Sequence, residues 1–561
     1  MRCTKKVVAV VAAGVLPVIL VSLALVLVLL VFAPDKNSAA QSVRTSSGTL
    51  RGRTVLLKDG VNEIHEFHNV RYAEAPVREL RFRPPVRYFV DNEEDEVDVS
   101  SPTPAISCIQ ADTGEGLEDC LFLTVRTPAA LGNGTTGDLL PVLMWLHGGG
   151  LANGVGTAMG YSFDEESTFK LGSVTVNINF RLGFLGFSSV EEFWDEEDGV
   201  YANNGIRDMI AALDWIQDNI SGFGGDPNLV TVIGESGGAT AVLALTCSPL
   251  ANNKFHRGIA QSPAPEMRFS HIDGNEYQRT IVEQVGCIQV DIAERRKCLR
   301  EITPERFSRK YVDMDSGDGY FDFPKKYTEE AEVVGFMVID PIVVTVPPRE
   351  LKLAPFTPTA PLSIIVSNME QENYKQEWMF RGPFNSDKEM NETLSSLFEN
   401  LTDDDGMVDM TWSLYPGRST TDIWSLLTCD MRSTCPSNDV AAAMAEAPSR
   451  DIYRLYVTYA FEALPIPAIH AADSIVLFGY NVGDYFTPST RDFGFSDHYV
   501  SMVQKFAKDG KFDEGWKTFP ENSMVYDSSG DFQNIISEKP QQTVCEKLEE
   551  FDLVKYGWQN R

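Results

Sequence analysis

Positive charge is in short supply: 48 Lys and Arg stand against 80 Asp and Glu, for a formal net charge of −32. Such a surface repels phosphate backbones and anionic headgroups, which argues against nucleic acid and acidic lipid as partners of the folded body. The same field would steer a cationic substrate, although solubility alone accounts for it. Histidine is scarce too, with seven in 561 residues, so a site that needs an imidazole has few places to be. Linkers are missing. After residue 45 no Gly/Ser tract, composition break or internal repeat divides the chain, which argues against several domains or a repeat array. Apolar residues are 43% of the total and charged ones 23%, so the composition is not that of a disordered chain. None of the nine cysteines has zinc-site spacing, and no metal is expected.

A long apolar run occurs once, from Val7 to Ala33. It carries no charge and is long enough to cross ~30 Å of hydrocarbon as a helix, and Pro17 is tolerable within it. It exceeds the ~7–15 apolar residues of a cleaved signal. Arg2, Lys5 and Lys6 precede it and should stay cytoplasmic. The expected layout is a cytoplasmic tail over 1–6, a membrane signal-anchor over 7–33, a stalk over 34–44 and one folded body over 45–555. The alternative is cleavage near residue 40, after Ser38-Ala39-Ala40. Either way the body is exported: a single-pass type II membrane protein facing the extracellular or luminal side, or a secreted one.

Cysteine usage agrees with export. Cys108–Cys120, Cys287–Cys298 and Cys429–Cys435 are the expected disulfides, each closing a short loop. Cys247 lies in an apolar run and reads as a buried thiol. Cys545 is left over, either free or bridging to another subunit. Sequons at Asn133, Asn391 and Asn400 are expected glycan acceptors. The one at Asn219 falls on an amphipathic helix near the core.

Leu139 to Leu146 is apolar without a helical period and runs into His147-Gly148-Gly149-Gly150, so it reads as a buried strand ending in a glycine loop. Val174 to Asn179, Leu229 to Ile233, Leu362 to Val366 and Tyr453 to Ala460 are further strand candidates. Ile206, Met209, Ile210, Leu213 and Ile216 recur at helical spacing. Strands alternating with helices imply a mainly parallel sheet covered on both faces. The stretch from Glu266 to Pro361 reads as a more helical insertion.

Chemistry enters at Gly234-Glu235-Ser236-Gly237-Gly238, a G-x-S-x-G between a strand and a helix. A serine on so tight a turn projects its hydroxyl above the sheet, and the flanking glycines let backbone crowd there. Ser236 is the expected nucleophile. Gly149 and Gly150 of the upstream glycine loop would join Gly237 as an oxyanion hole of bare backbone amides. In elbow hydrolases the base follows the nucleophile. His470, in a loop after the last strand candidate, is the expected base, and His498 is the runner-up.

Several blocks together resemble the type-B carboxylesterases, the group that includes the cholinesterases. They are Arg71-Tyr72-Ala73-Glu74-Ala75-Pro76, Glu118-Asp119-Cys120-Leu121-Phe122-Leu123, Asn179-Phe180-Arg181-Leu182-Gly183 and Phe223-Gly224-Gly225-Asp226-Pro227. His470 through Gly479 is similar to the family's H-G-x-E-x-x-x-x-F-G block. The resemblance implies an α/β-hydrolase fold: a mostly parallel sheet with helices on both faces and a helical insertion over an active-site gorge. It also implies a glutamate in a G-x-x-x-x-E-G block. With Ser367 and Asn373 at that block's two glycines, Glu372 takes the acid position, and a shift to Glu370 stays open.

The resemblance therefore implies a serine carboxylesterase that hydrolyses small-molecule esters through an acyl-enzyme and needs no cofactor. Ser236, His470 and Glu372 would be its triad. The loop from Ile109 to Asp119 holds no aromatic residue. That argues against a dedicated acetylcholinesterase, whose choline site stacks on tryptophan. The rival reading is an adhesion or receptor module that keeps the fold without catalysis. The eroded acid block favours it; the presence of Ser236 and His470 opposes it.

Overall fold

In the computed structural model of the chain, the described residues run from 41 to 553. Within that span 93, 104, 129–137, 196–198, 266–268, 313–336, 355–361, 373–385, 402–405, 463–466, 480–486, 513–514, 530–531 and 552 are not described. The expected N-terminal span over 7–33 and the sequon at Asn133 fall outside the described residues. Among those described, no helix is long and apolar enough to cross a membrane.

The first strands are β1 (Ser42–Thr45), β2 (Gly48–Arg51), β3 (Arg53–Leu56), β4 (Glu63–Arg71) and β5 (Glu96–Asp98). Next come β6 (Phe122–Thr127), β7 (Leu140–Leu146), β8 (Val174–Ile178), β9 (Gly225–Glu235) and β10 (Arg257–Gln261). The last are β11 (Leu362–Met369), β12 (Arg450–Val457), β13 (Ser523–Tyr526) and β14 (Gln533–Ile536). β1, β2 and β5 form a small sheet, and the other eleven run in the order β14-β13-β12-β11-β10-β9-β7-β8-β6-β4-β3. From β8 to β13 all neighbours are parallel. The strands beyond, at both ends, pair antiparallel. This is the α/β-hydrolase fold.

The central strands are largely apolar and buried because both faces are covered. Their residues divide by the two-residue period of a strand. Val142, Met144 and Leu146 of β7 pack in one core with Val230, Val232 and Val366. Leu143 and Trp145 face the other core with Ile233, Ile365 and Leu455. The helix Asn204–Asn219 closes the first core with Ile206, Met209, Leu213 and Ile216. The helix Thr490–Asp509 closes the second with Phe495, Tyr499, Val503 and Phe506. Its ends are set locally: Ser489 and Asp492 form a capping box, and Gly510 terminates it at φ 68°. Each such buried side chain contributes ~1.5–3 kcal/mol. The two packed layers hold the C-terminal edge of the parallel strands as a fixed rim.

Cys108–Cys120 and Cys287–Cys298 are disulfides in the structure. The expected Cys429–Cys435 bridge is not formed. Cys435 bonds Cys545 instead, with Cα atoms 5.4 Å apart, and Cys429 is a buried free thiol. The reason is helical geometry. The helix Thr420–Cys429 passes through a π-helical turn, Asp430–Thr434, into the helix Cys435–Ala445. A helical rise over that interval separates the two cysteines by ~9 Å, beyond disulfide reach. Asn219 is buried, its amide engaged with Ser46. Asn391 lies half-buried on the helix Asp387–Leu401 and accepts a hydrogen bond from Trp412 Nε1 at 2.8 Å. The side chain of Asn400 is outside the described residues.

Candidate active site

β9 ends at Glu235 and the helix Gly237–Thr246 begins two residues later, so Ser236 alone makes the turn, at φ 53° and ψ −121°. A non-glycine residue there is strained, and the surroundings hold it. The Ser236 amide donates to the Gln261 carbonyl at the end of β10, 2.9 Å away, and the Ser236 carbonyl accepts from the Thr240 amide at 3.0 Å. The flanking glycines are required by contact. A Cβ on Gly234 would overlap the Gly238 carbonyl, and one on Gly238 would overlap the Leu146 carbonyl of β7.

The glycine loop after β7 lies beside this turn. A Cβ on Gly237 would sit 2.8 Å from the Leu151 amide nitrogen and 3.0 Å from that of Gly150. Gly149 and Gly150 take φ 97° and 62°, and the Gly149 carbonyl is turned away to accept from Ala152 and Asn153. Among the described residues the amides of Gly149, Gly150 and Gly237 donate to no protein acceptor. Two of these uncommitted donors, on Gly150 and Gly237, thus lie together beside Ser236. His147 props the loop from beneath: buried, stacked on Phe180 at 4.4 Å, with Nδ1 2.8 Å from the Gly148 carbonyl. Burial pushes its pKa down to about 4, so the ring is neutral at physiological pH.

On the other side β11 ends at Met369, and the turn after it swings Glu372 inward. Glu372 is 1% exposed. Its Oε1 accepts from the Met369 amide at 2.8 Å, and its Oε2 lies 2.6 Å from His470 Nδ1. Backbone bonds stitch the two loops together, from Gln371 to the Ala468 carbonyl and from His470 to that of Glu372. Glu370 takes the opposite direction, 3.7 Å from Arg418. His498 lies on the helix Thr490–Asp509, bonded to Gln533 and packed near Tyr526.

His470 Nε2 faces a second carboxylate, Glu235 Oε1, at 3.0 Å. The two groups attract chiefly by charge. Among the described residues His470 makes no hydrogen bond with the Ser236 hydroxyl. Burial alone would lower the His470 pKa, but Glu235 and Glu372 outweigh it and hold the pKa well above the usual imidazole range. Burial pushes the Glu235 carboxyl up, against the pull of His470.

Sequence reasoning passed over Glu235, the unspecified position of G-x-S-x-G. Its signal was a charge closing the otherwise apolar run Leu229 to Gly234. It also passed over a buried bond network around Asp473, whose signal was an acid beside the base in an apolar segment. Among the described residues no cluster suits a metal. The arrangement sets a buried carboxylate–imidazole pair and free backbone amides at the same rim as Ser236.

A family model described as the carboxylesterase family matches residues 39–548. The chain is 35% identical over 294 residues to Esterase E4 of Myzus persicae, covering 50% of each. It is 32% identical over 386 residues to Carboxylesterase 1E of Rattus norvegicus, covering 60% of this chain and 66% of that protein. The chain thus spans about half the length of the first curated relatives it matches. A solved PNB esterase superposes with TM-score 0.70 at 23% identity, over 91% of this chain and 99% of that one. At that identity the likeness speaks for the fold.

Proposed function

The chain belongs to the carboxylesterase family, and from that premise we propose that it hydrolyses carboxylic esters through an acyl-enzyme on Ser236. The observation that carries the proposal is the 2.6 Å contact of His470 Nδ1 with the buried Glu372, next to a serine held at positive φ. Neutral His470 takes the Ser236 proton on Nε2, and the serine oxygen attacks the ester carbonyl. The Gly149, Gly150 and Gly237 amides hold the oxyanion. The imidazolium, fixed in orientation by Glu372, then gives its proton to the leaving alcohol, and water repeats the cycle on the acyl-enzyme. The donor set matters because one lost oxyanion donor typically costs ~10²–10³ in rate. The adhesion reading rested on the eroded acid block, and the carboxylate's place beside the imidazole weighs against it.

On this reading 1–6 is a cytoplasmic tail, 7–33 a membrane anchor and 34–44 a stalk, with the catalytic domain over 45–555 on the extracellular or luminal side. The disulfides support an oxidising compartment. Treatment with a fluorophosphonate followed by peptide mapping should find the label on Ser236. Ser236→Ala should abolish both labelling and short-chain aryl-ester hydrolysis while leaving the melting temperature unchanged. Full hydrolysis by that variant would sink the proposal.

A further inference from the structure

Glu372 and His470 sit on two separate elements, the turn after β11 and the loop before the helix Ala472–Leu477. Their mutual contact is one point of attachment. A second lies below it. Ser367 of β11 and Asp473 of the helix are both 0% exposed, and the Ser367 hydroxyl donates to Asp473 Oδ2 at 3.1 Å. We propose that Ser367 and Asp473 are a matched positioning pair that sets the His470 loop against the Glu372 strand. The proposal rests on the esterase reading above.

The side-chain bonds around the pair lead to the machinery. Asp473 Oδ1 accepts from the Ser474 amide at 2.9 Å, and Oδ2 also accepts from Tyr499 at 3.3 Å. The Ser474 hydroxyl donates to Gln261 Oε1 and Gln261 Nε2 donates to Tyr499, both at 2.9 Å. The Gln261 carbonyl in turn accepts the Ser236 amide. One buried network therefore joins the ends of β10 and β11 to the base loop, and so ties nucleophile, acid and base into one frame. A carboxylate this deep needs its acceptor sites filled. Burial raises Asp473 to about 7, with the charges of Glu372 and Glu235 adding to the effect and Ser367 and Ser474 opposing it.

The pair is matched in size as well as polarity. In the blocks quoted above, Ser367 stands where the family pattern has a glycine and Asp473 where it has a glutamate. The carboxylate is one methylene shorter and its neighbour is longer by a hydroxymethyl, so the gap left by one is filled by the other. Either change alone disturbs a packed interior: glycine opposite aspartate leaves a void and an unmade bond, and glutamate opposite serine overfills it. Because a small misplacement of a reacting group costs on the order of 10²-fold in rate, the single changes should be felt in kcat.

The test is a four-protein cycle of wild type, Ser367→Gly, Asp473→Glu and the double variant. Each is assayed for kcat and KM on a short-chain aryl ester, with fluorophosphonate titration of active serine and a thermal melt. Each single change should lower kcat by about 10-fold or more with KM within about 3-fold of wild type, and the double should regain most of the loss. Losses that simply multiply in the double, or singles with unchanged kcat, would overturn the pairing. Should either single fail to fold, the double decides, near-wild-type kcat supporting the pair and no recovery overturning it. Ser367→Ala, which removes only the hydroxyl, should lose kcat as well. A wild type that neither hydrolyses nor labels would overturn the esterase reading and the pair together, whereas an active wild type without coupling overturns the pair alone.

Discussion

On the nucleophile side of the site, glycines stand where a side chain would collide with backbone: Gly234 against the Gly238 carbonyl, Gly238 against β7, Gly237 against the amides of Gly150 and Leu151. On the base side, apart from Gly479, the glycine positions of the aligned blocks hold side chains instead. Ser367 uses its hydroxyl to bond Asp473, and Ala471 takes φ 65° just after His470. The two halves teach different lessons about glycine. Where it permits two backbones to touch, no replacement fits; where it supplies only room or a backbone angle, a side chain can take its place if it finds a partner or bears the strain.

The most damaging way to test that contrast is Gly238→Ala. The added methyl meets the Leu146 carbonyl of a central strand, which cannot yield without moving β7. The variant should lose about 1–3 kcal/mol of stability and, with Ser236 displaced, on the order of 10²-fold in kcat/KM. A thermal melt and an ester assay check both. A variant that melts and turns over like wild type would remove the distinction between the two sides.

A subtler test concerns the carboxylate that belongs to both halves. Glu235 ends the nucleophile strand yet faces His470 Nε2. His470 must be neutral to accept the Ser236 proton, and its pKa is held up by Glu235 and Glu372 against the lowering effect of burial. Activity should therefore fall as pH drops through that raised value. Glu235→Gln removes one charge, lowers the pKa and should move the acid limb of the kcat/KM profile to lower pH. An acid limb that stays in place would mean Glu235 does not act on the imidazole.

The same contrast explains what could be read in advance. The elbow and glycine loop are legible because their signatures lie in consecutive residues, and the sheet because its central strands are largely apolar. The last of the strand candidates was expected at Tyr453 to Ala460 and lies at Arg450–Val457, since apolar content marks a strand but not the register that ends it. The acid was narrowed to two glutamates, and the turn that parts them is a matter of backbone direction. The rest depends on contacts between distant segments. Cys435 and Cys545 are separated by 110 residues, Ser367 and Asp473 by 106, and Gln261 and Ser474 by 213. Hydropathy periods report which face of an element is buried, never what it meets there.

Ala471→Gly should have the smallest effect and probes the conformational kind of glycine alone. An L-residue in the left-handed region costs about 1–2 kcal/mol, which glycine would relieve, while the freer unfolded chain takes back roughly 0.4–1 kcal/mol. The net expectation is a gain of about 0 to 1.6 kcal/mol, read as a small rise in melting temperature. Ala471 is only half-buried, so little packing is lost with its methyl. The His470–Glu372 contact and the Ser367–Asp473 bond hold the loop on both sides of residue 471, and kcat should stay within about 2-fold of wild type. A fall in melting temperature or a tenfold loss of kcat would show that this alanine is held by contact after all, and that the two sides obey the same rule.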